Sequence, residues 1–514
     1  MASGAESSQF NSYKLSWGAI AGIALFSVLY FADICLKASR KCFWFDELFT
    51  IYLCRLPSFR ATWTAVQHGA DFNPPMLYLL TRGVQRLFGE GLIATRLPAM
   101  VGFWVFSVCL FLFVSRRAGV VSGFISGMFP FFTLAQYYAY EARAHAIVLG
   151  WCGLTLVCWQ RTGEERGKSK YLWLAGFGVC LLGALLTHVY AVYVILPFAL
   201  VELYNLVHRR PNWGILATMA STFIFVVLIV YLPLFRMYRA SVPSSFRGSS
   251  HDLLERFLEN TLGPAIFVLL LALFLFALDA LRPIRLVNHA THIPKREMLV
   301  AAVLACVPLV ALIGSKISHG PFIERYFLVS IAGYAMALGF ASFRVQRESW
   351  TAKALAGCLL FLMIADLGTT AYLKNRLVLS EPSSGILLST SPSRPLALYD
   401  TIFSDKKSLD ILVLPALDYL YLFRYAPPSV ASHLYFAAEP DDLFLKAFGR
   451  LAGRAQVNLR ASELGPFLAT HDKFLIYEDG KFDQSDMVQA ILNDGYGLKS
   501  VQTDAVGTAY EFAK

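Results

Sequence analysis

Stretches of about twenty mostly apolar residues recur along this chain from residue 17 to about residue 373 and then stop. No feature limits its fold more tightly. A span of hydrocarbon needs roughly 20 such residues in a helix, and a backbone in lipid must satisfy its polar groups internally. The composition agrees: of 514 residues, 56% are hydrophobic and only 16% charged. A soluble chain of this length has no interior large enough for that much apolar surface. The expected class is therefore a mostly α, polytopic transmembrane helical bundle. About eleven spans are expected, near 17–36, 97–115, 119–136, 142–160, 171–187, 189–207, 214–235, 263–281, 297–315, 325–343 and 352–373.

Charge orients these spans. With the N-terminus in the cytoplasm, each inner connection is basic. The first two hold Arg116–Arg117 and Arg161 to Lys170, and the rest hold Arg209–Arg210, Arg282 to Arg296, and Arg344 to Lys353. The net charge of +10 is accounted for by this rule and by anionic lipids, so it is no sign of nucleic acid. Lys14 before the first apolar run, with no clear cleavage site after it, reads as a retained signal anchor. An odd number of spans puts the long first loop (40–96) and the region after residue 373 outside. The chain is thus expected to divide into a membrane domain, 1–373, and an extracytoplasmic α/β domain, 374–514.

In the tail, ILVLP (411–415), HLYFAA (433–438), KFLIYE (473–478) and Ala505–Phe512 read as strands, and 441–453 and 484–495 as amphipathic helices. A Ser/Pro-rich linker at 380–395 precedes them. Six of the nine cysteines lie in apolar segments and behave as small hydrophobes. Cys42 and Cys54 share the first loop and could pair if that side is oxidising.

The unusual side chains gather on the outer face. FWFDELFT (43–50) places Asp46 and Glu47 beside aromatics. A carboxylate there is partly desolvated, which makes it a better base; acidic residues in that place would equally cap a helix. Asp71 precedes Asn73-Pro74-Pro75, where the prolines rigidify a loop. Glu141 and Arg143 stand two apart and so do not face each other on a helix. Arg143 suits a phosphate, and Glu141 an acceptor or a cation. Lys316, Arg325 and Tyr326 flank the start of a late span, and His188 and Tyr190 sit at a helix end. No Walker or dinucleotide fingerprint is present, which argues against a nucleotide site. Histidines are dispersed without zinc spacing; paired acids could hold Mg²⁺ or Mn²⁺, but nothing requires a metal.

Read together, FDELFT, DFNPPMLYLL (71–80), FGEGLIATRLPAMVGF (88–103), YAYEARAHA (138–146), LLTHVYAVYV (185–194) and ERYFL (324–328) resemble the GT-C fold membrane glycosyltransferases. The branch they are similar to contains protein O-mannosyltransferases, the lipid-A aminoarabinose transferase and rhizobial lipopolysaccharide sugar transferases. The likeness is strongest over 40–205 and absent from the tail. It departs at Asn73, where the family commonly has His, and at His145, where Tyr is common. The resemblance implies a polyprenyl-phosphate sugar donor, an outer-face active site, and transfer with inversion to an acceptor hydroxyl on a glycan, lipid or protein. It implies Asp46 as the base, with Glu47 as its fallback, and Arg143 and Arg325 on the donor phosphate, joined by Lys316. Asp71, Asn73, Glu141, His188 and Tyr326 would serve the acceptor or support the site. The expected setting is a bacterial inner membrane. A flippase for a lipid-linked sugar would instead show acids buried in mid-span and inverted repeats, and a non-catalytic scaffold would show a cavity without turnover.

Overall fold

The computed structural model describes residues 15–67, 70–241, 253–280, 293–318, 323–345, 350–372, 409–414, 416–426, 428–438, 460–478, 485–503 and 508–514. Each of the eleven apolar segments falls on helix. Six helices are long and apolar enough to cross a membrane, or seven when the pair Lys295–Ala305 and Val307–Gly314, bent by 48°, counts as one span. The chain is an integral membrane protein.

One of the six, Leu92–Phe132, is a hairpin. Gly119 has φ 83° and ψ 170°, a region that glycine alone occupies without strain. Beyond it the chain runs back along itself, so that a Cβ on Gly123 would meet Ser115 and one on Gly127 would meet the Ser107 carbonyl. The expected spans 97–115 and 119–136 are the two arms. The first arm also packs backbone to backbone on the Ala144–Glu164 helix. There a Cβ on Gly150 would lie 2.6 Å from the Gly102 carbonyl oxygen.

The two ends of the bundle are chemically unlike. At the hairpin end, Arg117 grips the buried Glu297 carboxylate at 2.8–3.0 Å, and Arg116 reaches Glu164 at 2.9 Å. Arg116, Arg117 and Glu164 come from two of the connections expected to be inner, and Glu297 directly follows a third. At the other end, Lys37 joins Asp33 and Asp366 at 2.8 and 2.7 Å, tying the Trp17–Arg40 helix to Trp350–Tyr372. Arg96 and Arg116 are twenty residues apart on one helix, about 30 Å.

The C-terminal region forms a six-stranded sheet: β1 (Asp410–Val413), β2 (Leu434–Ala438), β3 (Ala461–Glu463), β4 (Lys473–Glu478), β5 (Gly497–Thr503) and β6 (Thr508–Ala513), in the order β3-β2-β1-β4-β6-β5. The first four are parallel neighbours, and β6 and β5 run antiparallel. Strand alternation sends Leu412, Phe474 and Ile476 into one core with Phe467, Ile491 and Phe512. It sends Ile411, Val413, Leu475 and Tyr477 to the opposite face, where they meet Phe43, Leu48, Ile51 and Tyr52. The second core of the sheet therefore includes part of the first loop, and both lie at the Arg96 end of the bundle. Four expected strands match β1, β2, β4 and β6. The helix expected at 441–453 and the 380–395 linker lie outside the described residues. β3, β5 and the Ala416–Tyr425 helix were not foreseen. Cys42 and Cys54 are both buried and are not joined in a disulfide, and Cys54 Sγ lies 3.7 Å from the Tyr78 carbonyl as its donor.

Candidate active site

FWFDELFT opens the Phe45–Cys54 helix, with both acids in its first turn, where they complement the helix dipole. The helix is engaged on two sides. Leu48, Ile51 and Tyr52, spaced i, i+3, i+4, face the sheet; Glu47, Thr50 and Leu53 face the bundle. Adjacent positions on a helix diverge by about 100°, and this separates the two carboxylates.

Glu47 is fully buried. Arg96 Nε and Nη2 donate to its two oxygens, each at 2.7 Å. The Trp44 and Ala142 N–H groups add bonds of 3.2 and 2.7 Å. Burial pushes this carboxyl up, but the Arg96 charge and bidentate bonds outweigh it and hold it below the usual range. Arg96 spends its other donors on the Ala38, Lys41 and Cys42 carbonyls at 2.6–2.9 Å. All five of its N–H groups are thereby used.

Asp46 is partly exposed and meets two guanidiniums. Its Oδ2 lies 3.4 Å from Arg325 Nη2 and 3.8 Å from Arg143 Nη2. Arg143 Nη1 donates to the Asp46 carbonyl at 3.1 Å, to Thr50 Oγ1 at 3.3 Å and to Asp71 Oδ2 at 3.1 Å. Asp71 also accepts from Phe72 N–H and Tyr78 O–H, each at 2.7 Å, and from the Asn73 amide at 3.1 Å. Burial raises the Asp71 carboxyl, yet Arg143 and these donors together bring it below its ordinary value. Asn73 thus orients Asp71.

The turn Tyr140–Arg143 joins two helices, and its two charged side chains part company. Arg143 turns to Asp46 and Asp71, while the buried Glu141 pairs with Lys41, whose Nζ also donates to Tyr137 Oη at 2.7 Å. Arg325 stands in the short helical turn Glu324–Phe327, about 5.9 Å from the Trp44 ring centroid. Tyr326 stacks on Tyr190 at 4.3 Å and lies 5.1 Å from the His188 ring. Burial, with the Arg143 and Arg325 charges, pulls the His188 imidazole down to about 3. Lys316 is exposed in the last turn of Val307–Ser318, and no contact joins it to these groups among the described residues. Nor is any group of three or more His, Cys, Asp and Glu side chains there arranged to hold a metal ion.

The structure thus brings Asp46, Asp71, Asn73, Arg143, His188, Arg325 and Tyr326 together. Arg96, Lys41, Thr50 and Tyr78 were not singled out from the sequence. Arg96 left a signal: an arginine at the rim of an apolar helix is costly unless paired, and Glu47 is a partner at the rim of another.

No family model matches the chain, and no curated protein matches it. Among solved structures, ArnT from Cupriavidus metallidurans in the apo state aligns with a TM-score of 0.56 at 13% identity, over 96% of this chain and 98% of that one. ArnT bound to undecaprenyl phosphate aligns with a TM-score of 0.57, also at 13% identity, over 97% and 98%. At this identity the likeness is one of fold: the chain has the GT-C fold, including a small C-terminal sheet.

Proposed function

We propose that this protein is a membrane glycosyltransferase that moves one sugar from a polyprenyl-phosphate carrier to an acceptor hydroxyl on the extracytoplasmic face. The observation that carries it is the Asp46 carboxylate between the guanidiniums of Arg143 and Arg325. Two supports stand beside it. The fold is that of ArnT, one of whose structures holds undecaprenyl phosphate, and Arg116, Arg117 and Arg161 gather at the end of the bundle away from Asp46.

The chemistry needs little acid help, because a phosphate is already a good leaving group. Asp46 accepts the proton of the acceptor hydroxyl as its oxygen attacks the anomeric carbon. The bond from that carbon to the phosphate oxygen breaks on the opposite face, with inversion, and its electron pair stays on the phosphate. Arg143 and Arg325 neutralise the charge that collects there. Glu47 is saturated by four hydrogen bonds and acts by positioning: it fixes the helix bearing Asp46 and, through the Ala142 N–H, the turn bearing Arg143. Asp71 holds the Arg143 guanidinium in place. The sheet, packed on that helix, stands on the acceptor's side.

The test is transfer of labelled sugar from a synthetic polyprenyl-phosphate donor by purified protein. Asp46→Asn is expected to lower kcat by about 10²- to 10⁴-fold while leaving donor binding within a few-fold. Unchanged turnover in that variant overturns the base assignment.

A further inference from the structure

Lys41 is a charged side chain that the chemistry above leaves unused, and it is shut away at 1% exposure. It follows the Trp17–Arg40 helix as its C-cap, and its carbonyl accepts from Arg96 Nη1 at 2.6 Å. Its Nζ crosses to the segment leading into the Ala144–Glu164 helix. There it donates to Tyr137 Oη at 2.7 Å and to Glu141 Oε1, and it stands 4.0 Å from the Tyr137 ring centroid. Two of its three hydrogens are thus taken inside the protein.

An ion pair so deep is a poor source of stability, since apolar side chains of the same shape hold a fold as well. It can, however, fix the distance between two pieces of backbone. Here the pieces are the entry to FWFDELFT and the Tyr140–Arg143 turn. Glu141 passes the constraint on within two residues. Its carbonyl accepts from Arg143 N–H at 2.7 Å, which closes a three-residue turn. Ala142 N–H, between them, is held by Glu47 at 2.7 Å. The turn is therefore pinned twice, by Glu47 on its backbone and by Lys41 on a side chain. Both pins start from a segment that Arg96 holds. The Arg143 guanidinium needs that help. Its three hydrogen bonds, at 3.1–3.3 Å, all leave from Nη1, so it is steered from one corner. Where its backbone starts decides where the rest of the fork points.

We propose that Lys41 is a positioning residue for transfer: through Glu141 it sets the Tyr140–Arg143 turn so that Arg143 presents its guanidinium to the donor phosphate. The assignment rests on the reading of Arg143 as a phosphate-binding group given above. In it Glu141 serves the turn rather than an acceptor or a cation.

The experiment measures affinity for a synthetic polyprenyl phosphate, and the acceptor KM, with full-length protein in nanodiscs. The variants are Lys41→Met, Arg143→Gln and the two combined, with thermal unfolding as a check on folding. Lys41→Met is expected to weaken polyprenyl phosphate binding about tenfold and to leave the acceptor KM unchanged. The combined variant is expected to bind no worse than Arg143→Gln alone, within about twofold, because the strut acts only through that guanidinium. Glu141→Gln, which keeps the shape of the side chain and an oxygen for Lys41, serves where Lys41→Met fails to fold, with a loss of about threefold. Three outcomes overturn the assignment: wild-type affinity in the folded variant, losses that multiply in the combined variant, or an equal rise in the acceptor KM, which marks general loosening. If Arg143→Gln binds polyprenyl phosphate as wild type does, the enclosing reading fails instead. The strut is then decided by unfolding alone. The shifts in thermal midpoint from Arg143→Gln and Asp71→Asn, whose side chains are bonded, are non-additive in wild type and become additive beside Lys41→Met. Non-additivity that persists there overturns the strut.

Discussion

At the scale of single residues, neighbours in sequence do different work. Asp46 is partly exposed and meets two arginines, while Glu47 is sealed against Arg96. Removing one partner of such a buried pair leaves the other charge uncompensated. Glu47→Gln is expected to cost about 3–5 kcal/mol, read as a fall in unfolding temperature and free energy. Arg143→Gln is expected to weaken donor binding by about one to two orders of magnitude, the worth of a hydrogen bond to a charged group. pH acts through the same carboxylates. Glu47 and Asp71 are both held below their ordinary values in the folded protein. Their contribution is present above the unfolded carboxylate range, near pH 4, and is lost as pH falls through the folded values. Thermal midpoints are expected to fall as pH drops from 6 toward 3.5, and to fall less in Glu47→Gln and Asp71→Asn.

At the scale of elements, apolar runs and strand alternation were readable because they report burial directly. The spans, β1, β2, β4 and β6 all follow from that signal. What escaped has particular causes. β3 is three residues long, and β5 carries alternation weakened by its exposed Leu498 and Val501. The Gly119 hairpin was legible as two arms, though not as so tight a turn. Gly119→Val is expected to cost about 1–3 kcal/mol through its backbone alone. Gly150→Leu is expected to separate the Leu92 and Ala144 helices at their closest contact, seen as loss of monodisperse protein after extraction. At the candidate site, residue types on the outer face singled out Asp46, Asp71, Arg143 and Arg325, which lie together in the structure. Which carboxylate each arginine takes depends on the rotation of the Phe45–Cys54 helix. That rotation is set by Leu48, Ile51 and Tyr52 packing on strands more than 350 residues away.

At the scale of the whole molecule, that short helix joins bundle and sheet. Phe43 N–H donates to Tyr425 Oη at 2.8 Å, and Tyr52 lies 6.3 Å from Phe423, ring to ring. A chain ending before β1 is expected to lose transfer even to the smallest acceptors, because the apolar face of the Asp46 helix would be left in water. Tyr425→Phe, which removes the bond from Phe43 N–H, is expected to lower kcat a few-fold with the donor KM unchanged. Loss of activity toward large acceptors alone would show that the sheet serves only recognition.

The shared core also governs how such chains can be recombined. A hybrid that takes its tail from a relative would carry foreign partners for Phe43, Leu48, Ile51 and Tyr52. The unit of exchange is therefore discontinuous, made of residues 43–55 together with everything from β1 onward. Two distant stretches of the gene must change in step, and drift in one is answerable to the other.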